Sequence, residues 1–287
     1  MSNQITTAFV NEYKDGVRIK TQQGASRLRE AVTVEMVNGE TASFDQIAAT
    51  AAVQRVTRHG DTPLVETPHS RRWVSLADYE WAELIDNQDR IRTLNDFASP
   101  YQRNAAAAMG RSMDDVIIEA ANGTAKTGKS GTGTQAFDTA NQEIAVGGTA
   151  MTLAKILQAK EILWVGEVDD MDPAFMVVSA RELTTLLNTT EVKSADYNSV
   201  KALAMGQIDT FAGFKFIRSQ RLPIVGGDRQ CLAWVQSGVT LGIGEDIVAK
   251  ISERDDKSYS TQVYTCMSLG AVRMEETKVV RIICDIV

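Results

Sequence analysis

The chain has 287 residues, 44% of them hydrophobic, with a formal net charge of −7 and a pI near 5.1. That is enough apolar chain for a sizeable core in one or two domains, and the acidic balance argues against a dedicated nucleic-acid binder. No apolar run approaches the ~20 residues that a bilayer span needs, the N-terminal stretch lacks the apolar core of a signal peptide, and Cys231, Cys266 and Cys284 are spaced as neither a disulfide framework nor a metal site. Buried thiols in a cytosol-like compartment are therefore expected.

Residues 1–30 have no buried periodicity and read as an arm. They hold five basic residues, Lys14, Arg18, Lys20, Arg27 and Arg29, against Glu12, Asp15 and Glu30. VTVEMV at 32–37, Asn38-Gly39 and ETASFDQI after it predict a hairpin. Residues 44–86 then form a long segment with no lysine. Its middle carries Arg55, Arg58, Arg71 and Arg72 against Asp61 and Glu66, together with both histidines, His59 and His69. Val53, Val56, Leu64, Val65, Trp73 and Val74 nevertheless give it the composition of extended chain. Too polar for a core yet patterned like strands, it reads as an arm that reaches another molecule. Trp73, Trp81, Leu84 and Ile85 would anchor its return to the body.

Ser99 as N-cap and Pro100 at the first helical position open the longest helix, which runs to Gly123. Tyr101, Ala105, Met109, Met113, Ile117 and Ala120 mark its buried face. Residues 123–150 are rich in Gly and Thr and predict an exposed loop. Thr152 caps a helix over LAKILQAKEILWV, AFMVV is a strand, and Ser179 to Glu182 is a capping box. A further helix is expected over Asn198–Met205, stopped by Gly206. FKFIRS, CLAWV and VTLGI are short strands, and IVAKISER, TQVYTCMSLGAVRM and KVVRIICDI make the C-terminal third strand-rich. The sum is an α+β chain without internal repeats.

Few residues point to chemistry. Gly123-Thr-Ala-Lys-Thr-Gly128-Lys129-Ser130 spells G-x-x-x-x-G-K-S, yet a helix precedes it and no helix follows, the reverse of a phosphate-binding loop. His59 and His69 lack metal-ligand partners. Asp169, Asp170 and Asp172 lack the glycine and closing glutamate of a calcium loop and read as a solvated turn. Asp114 and Asp115 read as exposed acids or partners of another subunit. No catalytic, cofactor or metal site emerges, and arms that cannot bury themselves within one chain imply further copies of it.

This order of parts resembles a tailed-bacteriophage major capsid protein of the HK97-type fold. The resemblance is carried by FDQIAATAAVQRVTRHGDTPLVETPHSRRWVSLADYEWAELID, SPYQRNAAAAMGRSMDDVIIEAANGTA, TTEVKSADYNSVKALAMGQIDTFAGFKFIRSQRLP and LGIGEDIVAKISERDDKSYSTQVYTCMSLGAVRMEETKVVRI. It implies an N-terminal arm and first hairpin strand at 1–43, an E-loop hairpin at 44–86 that lies over a neighbouring subunit, a peripheral domain with a long spine helix and long strands at 87–150 and 246–287, and an axial domain at 151–245. It implies hexamers and pentamers of an icosahedral shell enclosing double-stranded DNA, in a virion assembled in the cytoplasm of a bacterial host. No enzyme activity, cofactor or membrane is implied. Arg55, Arg58, Arg71 and Arg72 would make the E-loop contacts, with Trp73 and Trp81 at its base. Some shells of this fold are welded by an isopeptide bond from an E-loop lysine, and this arm has none to give. A cement protein is a further partner in that case. The absence of a long charged segment ahead of the arm implies a separate scaffolding protein, and a portal accompanies assembly. Two other readings are an encapsulin-like compartment of the same fold and, from another class, a P-loop nucleotide-binding protein using Gly123–Ser130.

Overall fold

The structure, a computed structural model, describes residues 20–58, 60–62, 64–86, 98–169, 171–188 and 210–286. The first part of the N-terminal arm, His59, Asp170 and the helix expected over Asn198–Met205 lie outside the described residues.

β1 (Thr33–Met36) and β2 (Thr41–Ile47) flank Asn38-Gly39, where Gly39 has φ +120°. They do not form the expected hairpin. β1 pairs in parallel with the distant β13 (Val239–Arg254), and β2 pairs antiparallel with β3 (His69–Ser75), from Thr41↔Ser75 to Ile47↔His69. Burial explains the split. Val32, just before β1, is buried in the main core, whereas Phe44 packs into a separate cluster with Val74, Ala125 and Val272. The turn therefore carries the chain from one core to the other.

β4 (Ala77–Ile85) returns to the body as an edge strand on β14 (Ser260–Arg273). VTLGI and IVAKISER, expected as separate strands, are one strand, β13, whose register slips between Ile243 and Val248. The resulting sheet has the order β1-β13-β14-β4. Its alternation is clean along β14: Val263, Thr265, Met267 and Leu269 are buried, while Gln262, Tyr264, Cys266 and Ser268 are half-buried on the other face.

The helix α1 (Ala98–Asn122) covers the buried face of this sheet. It starts one residue before the expected cap, so Ser99 falls within it, and Pro100 stays in the first turn, where a missing N–H costs nothing. Its buried side chains, Ala105, Met109, Met113, Ile117, Ile118 and Ala121, widen the expected face, while Tyr101 and Ala120 lie at its border. Gly123 keeps a helical bond to the Glu119 carbonyl (2.7 Å) in place of a left-handed cap.

Residues 123–150 hold more order than a loop. β5 (Ala125–Thr127) and β6 (Gly133–Gln135) pair with each other, and β7 (Glu143–Ile144) follows. α2 (Leu153–Val165) has the expected bounds, and the Thr152 side chain accepts from the Lys155 N–H. β8 (Ala174–Val178) and α3 (Ala180–Asn188) come next; Ser179 Oγ accepts from the Arg181 N–H (3.2 Å) and donates to the Glu182 carboxylate, a side-chain contact in place of the reciprocal backbone bonds of a capping box. β9 (Thr210–Phe211), β10 (Phe214–Arg218), β11 (Ile224–Val225), β12 (Asp228–Val235) and β15 (Val279–Asp285) complete a seven-stranded sheet with path β7-β15-β12-β8-β10-β9, and β11 pairs with the start of β12. The final strand thus pairs with β12 and β7 in the seven-stranded sheet, while β13 crosses the 245/246 boundary.

Candidate assembly arm

The arm is a two-part object. Its base is the sheet β2-β3-β5-β6. Residues 48–68 form its tip, without regular structure at the described positions. Val74, Ala125 and Val272 are buried at the base with Phe44, Leu76 and Met274 around them, so apolar burial ties the arm to β14. Close backbone approach does the rest. A Cβ on Gly242 would meet Val37 at 2.9 Å and Val74 at 3.0 Å, one on Gly244 would meet Leu76 at 2.5 Å, and one on Gly270 would collide with the Ser75 carbonyl. These three glycines admit the arm's base onto the sheet. Glycines within a strand pattern are the sequence signal for such an approach, and the sequence reading passed over them.

The six expected arm residues separate into two groups. Arg71 makes a bidentate pair with Asp45 across the hairpin, and its guanidinium lies 5.9 Å from the Trp73 ring centroid. That hydrogen bond holds the Asp45 carboxyl below its ordinary value. Arg72 donates to the Met274 carbonyl (2.8 Å) and pairs with Glu276 (3.5 Å). Trp73 donates its indole N–H to the Gly128 carbonyl (2.7 Å), joining the hairpin to the β5–β6 turn. Trp81, on β4, packs against the main core. Arg71, Arg72 and Trp73 tie the base together within the chain, while Trp81 fixes β4 to the main core. Arg55 and Arg58 lie instead on the exposed tip, where Arg55 donates to the Thr57 carbonyl (2.9 Å). Beside them Val56 is 91% and Leu64 95% exposed.

The stretch Gly123–Ser130 belongs to this base. Trp73 pairs with Lys126 in register, the β5–β6 turn carries Gly128 and Gly131 at positive φ, and the next helix starts only at Leu153. Among the described residues no helix starts at Lys129-Ser130, so the segment lacks the helix N-terminus on which a phosphate-binding loop places its anion. Among the described residues no cluster of His, Cys, Asp and Glu could hold a metal ion, and no helix is long and apolar enough to cross a membrane.

A second anchor lies on α1. Asp114 is fully buried in α1, where an exposed acid was expected. Its carboxylate accepts from Gln23 Nε2 (2.5 Å), Ser26 Oγ (2.6 Å) and the backbone N–H groups of Arg27 and Leu28 (both 3.1 Å). A carboxylate can be buried only with such donors around it. Asp115, one residue on, pairs with Arg221 on the surface. Gly110 lets this N-terminal strap lie flat on the helix, since a Cβ there would sit 2.6 Å from the Ser26 nitrogen.

Comparison with known proteins settles the family. The model of the family described as phage capsid protein matches residues 5–286. No curated protein sequence matches the chain. Solved structures do. The capsid of cyanophage P-SCSP1u is 15% identical, with a TM-score of 0.74 over 99% of this chain and 96% of that one. A chain from Mycobacterium phage Che8 is 18% identical, with a TM-score of 0.71 over 96% and 97%. The capsid of Ralstonia phage GP4 is 12% identical, with a TM-score of 0.72 over 96% and 95%. Identities this low speak for the fold, which is HK97-like. The family match covers nearly the whole sequence, and on it the chain belongs to the phage capsid protein family, as a structural protein that forms the shell of a virion.

Proposed function

We propose that the arm 44–86 is an E-loop that grips the next copy of the chain, in hexamers and pentamers of an icosahedral shell around double-stranded DNA. The observation that carries this reading is the contrast along the arm: a base pinned by Val74, Arg72 and Trp73, and a tip that exposes Val56 and Leu64 beside Arg55 and Arg58. Exposed apolar residues on a stiff support are the signature of a surface that is covered in the assembly. With no lysine in the arm, its grip rests on packing and on planar arginine pairing. Arg55 and Arg58 face the neighbour in this reading, while Arg71, Arg72, Trp73 and Trp81 hold the arm at its working angle. The sheet of β13 and β14 with α1 serves as the peripheral domain, and the seven-stranded sheet as the axial domain. Many weak, symmetric contacts sum to a stable shell. A separate scaffolding protein and a portal take part in assembly in the bacterial cytoplasm, and a cement protein can reinforce the finished particle.

The test is the double variant Arg55→Glu/Arg58→Glu, co-expressed with the scaffold. The reading expects soluble, folded protein with an unchanged melting temperature and at least a tenfold loss of particles by negative-stain electron microscopy. Particles in normal yield would refute the grip.

A further inference from the structure

Two exposed apolar features lie at opposite ends of the seven-stranded sheet. At one end a hollow of about 160 Å³ opens beside α2, lined by Leu163, Trp164, Val168, Phe214 and Val235 with Lys160 at its edge. The apolar surface runs on outside it, with Trp164 55% and Val165 78% exposed. At the other end β11 projects Ile224 and Val225, 54% and 59% exposed, with the turn glycines Gly226 and Gly227 at positive φ after them.

β12 connects the two ends. Val225 pairs with Asp228 at its start, and Val235 at its end lines the hollow. Seven residue steps at ~3.3 Å place the knob about 23 Å from the hollow of its own chain. The knob can therefore reach such a hollow only on another molecule. The charges around them differ in kind. Glu161, Glu167 and Asp169 are exposed around the hollow, with Lys160 as counter-charge over the Trp164 ring at 4.5 Å. The segment leading into the knob carries exposed Arg218 and Arg221, the latter also paired with Asp115.

We infer that the Ile224-Val225 knob of one copy docks into the Trp164 hollow of the next. A patch that meets an unlike patch on an identical chain makes a head-to-tail contact, and such contacts close into rings when the rotation allows. This inference rests on the shell reading and adds the surface through which neighbouring seven-stranded sheets touch. It is independent of the arm, which lies on another sheet.

The experiment is disulfide trapping in the full chain. Cys266→Ser removes the half-buried native thiol, and Val165→Cys with Val225→Cys places one new thiol at each patch. Particles formed with scaffold are checked by electron microscopy, oxidised, and run on a non-reducing gel. Docking predicts a ladder of covalent oligomers from the double variant, with neither single variant passing the dimer. Val225→Asp, a change at an exposed site, should leave the melting temperature unchanged and reduce particle yield at least tenfold. Particles without a ladder, or dimers from a single variant as strong as those from the double, would overturn the docking and leave the shell reading standing. No particles from the unmodified chain under any scaffolded condition would overturn the shell reading and the docking with it.

Discussion

Asp114→Ala should detach the N-terminal strap from α1. The wild-type carboxylate satisfies four donors, two of them backbone N–H groups, and the Leu28 N–H lies in a buried environment. A hydrogen bond to a charged group contributes about 1.5–3 kcal/mol, and an orphaned buried donor costs about 1–3 kcal/mol. These quantities are not additive. The strap also keeps the burial of Leu28 and Ala31 and the bond from the Trp234 indole to the Ala31 carbonyl (2.8 Å). A local loss of about 4 kcal/mol follows, which at 1.36 kcal/mol per decade is close to a thousandfold in the opening constant. Hydrogen exchange read by NMR at the Arg27 and Leu28 amides is the assay, with exchange expected to speed up by about three orders of magnitude. Asp115→Ala is the control, because its partner Arg221 is exposed and the pair contributes about 0.5 kcal/mol. Equal protection of Leu28 in the two variants would refute the reasoning, since it would mean that the buried carboxylate does not hold the strap.

Three further changes probe other joints. Gly270→Ala pushes a Cβ into the Ser75 carbonyl and should cost about 2–3 kcal/mol through overpacking at the arm's base; Gly24→Ala, which meets open space, should leave the melting temperature where it is. Lys155→Met keeps the stem but withdraws the ammonium from the Val146, Thr149 and Ile283 carbonyls, which it reaches at 2.9, 2.8 and 2.9 Å. About 1 kcal/mol per orphaned carbonyl predicts a loss near 3 kcal/mol in urea unfolding. Arg29 beside Asp246 holds that carboxyl below its ordinary 3.8. A carboxyl depressed in the folded state adds stability above 3.8 and loses it as the pH falls through the lower folded value. Both partners are largely exposed, so the effect is about 0.5 kcal/mol, and urea midpoints at pH 7 and pH 3 should differ less in Asp246→Asn than in the wild type.

What the sequence disclosed followed from local pattern. The helix over 153–165, the strand AFMVV and the strand β14 each carry their period and caps within a few residues. The polar yet strand-like composition of 44–86 marked that segment out; Trp73 lies in its base sheet, while Trp81 packs on the main core from β4. Contacts between distant segments were silent. Nothing in VTVEMV says that it runs parallel to residues more than two hundred positions away, and Asn38-Gly39 argued for a local hairpin instead. The threonines and glycines of 125–135 hid two short strands because their pairing rests on β3. Asp114 looked like a surface acid because a carboxylate's burial depends on donors supplied by another segment, here Gln23 to Leu28. Arg71 and Arg72 looked alike in sequence to Arg55 and Arg58, and only their partners Asp45, Met274 and Glu276 separate the arm's support from its exposed tip.

The most direct measurement is a cryo-electron-microscopy map of particles assembled from the full chain. The account predicts density for residues 48–68 lying across a neighbouring copy, with Arg55 and Arg58 against that copy's side chains and no covalent link between chains. A map in which the tip folds back on its own chain, or projects into solvent without touching a neighbour, would contradict it.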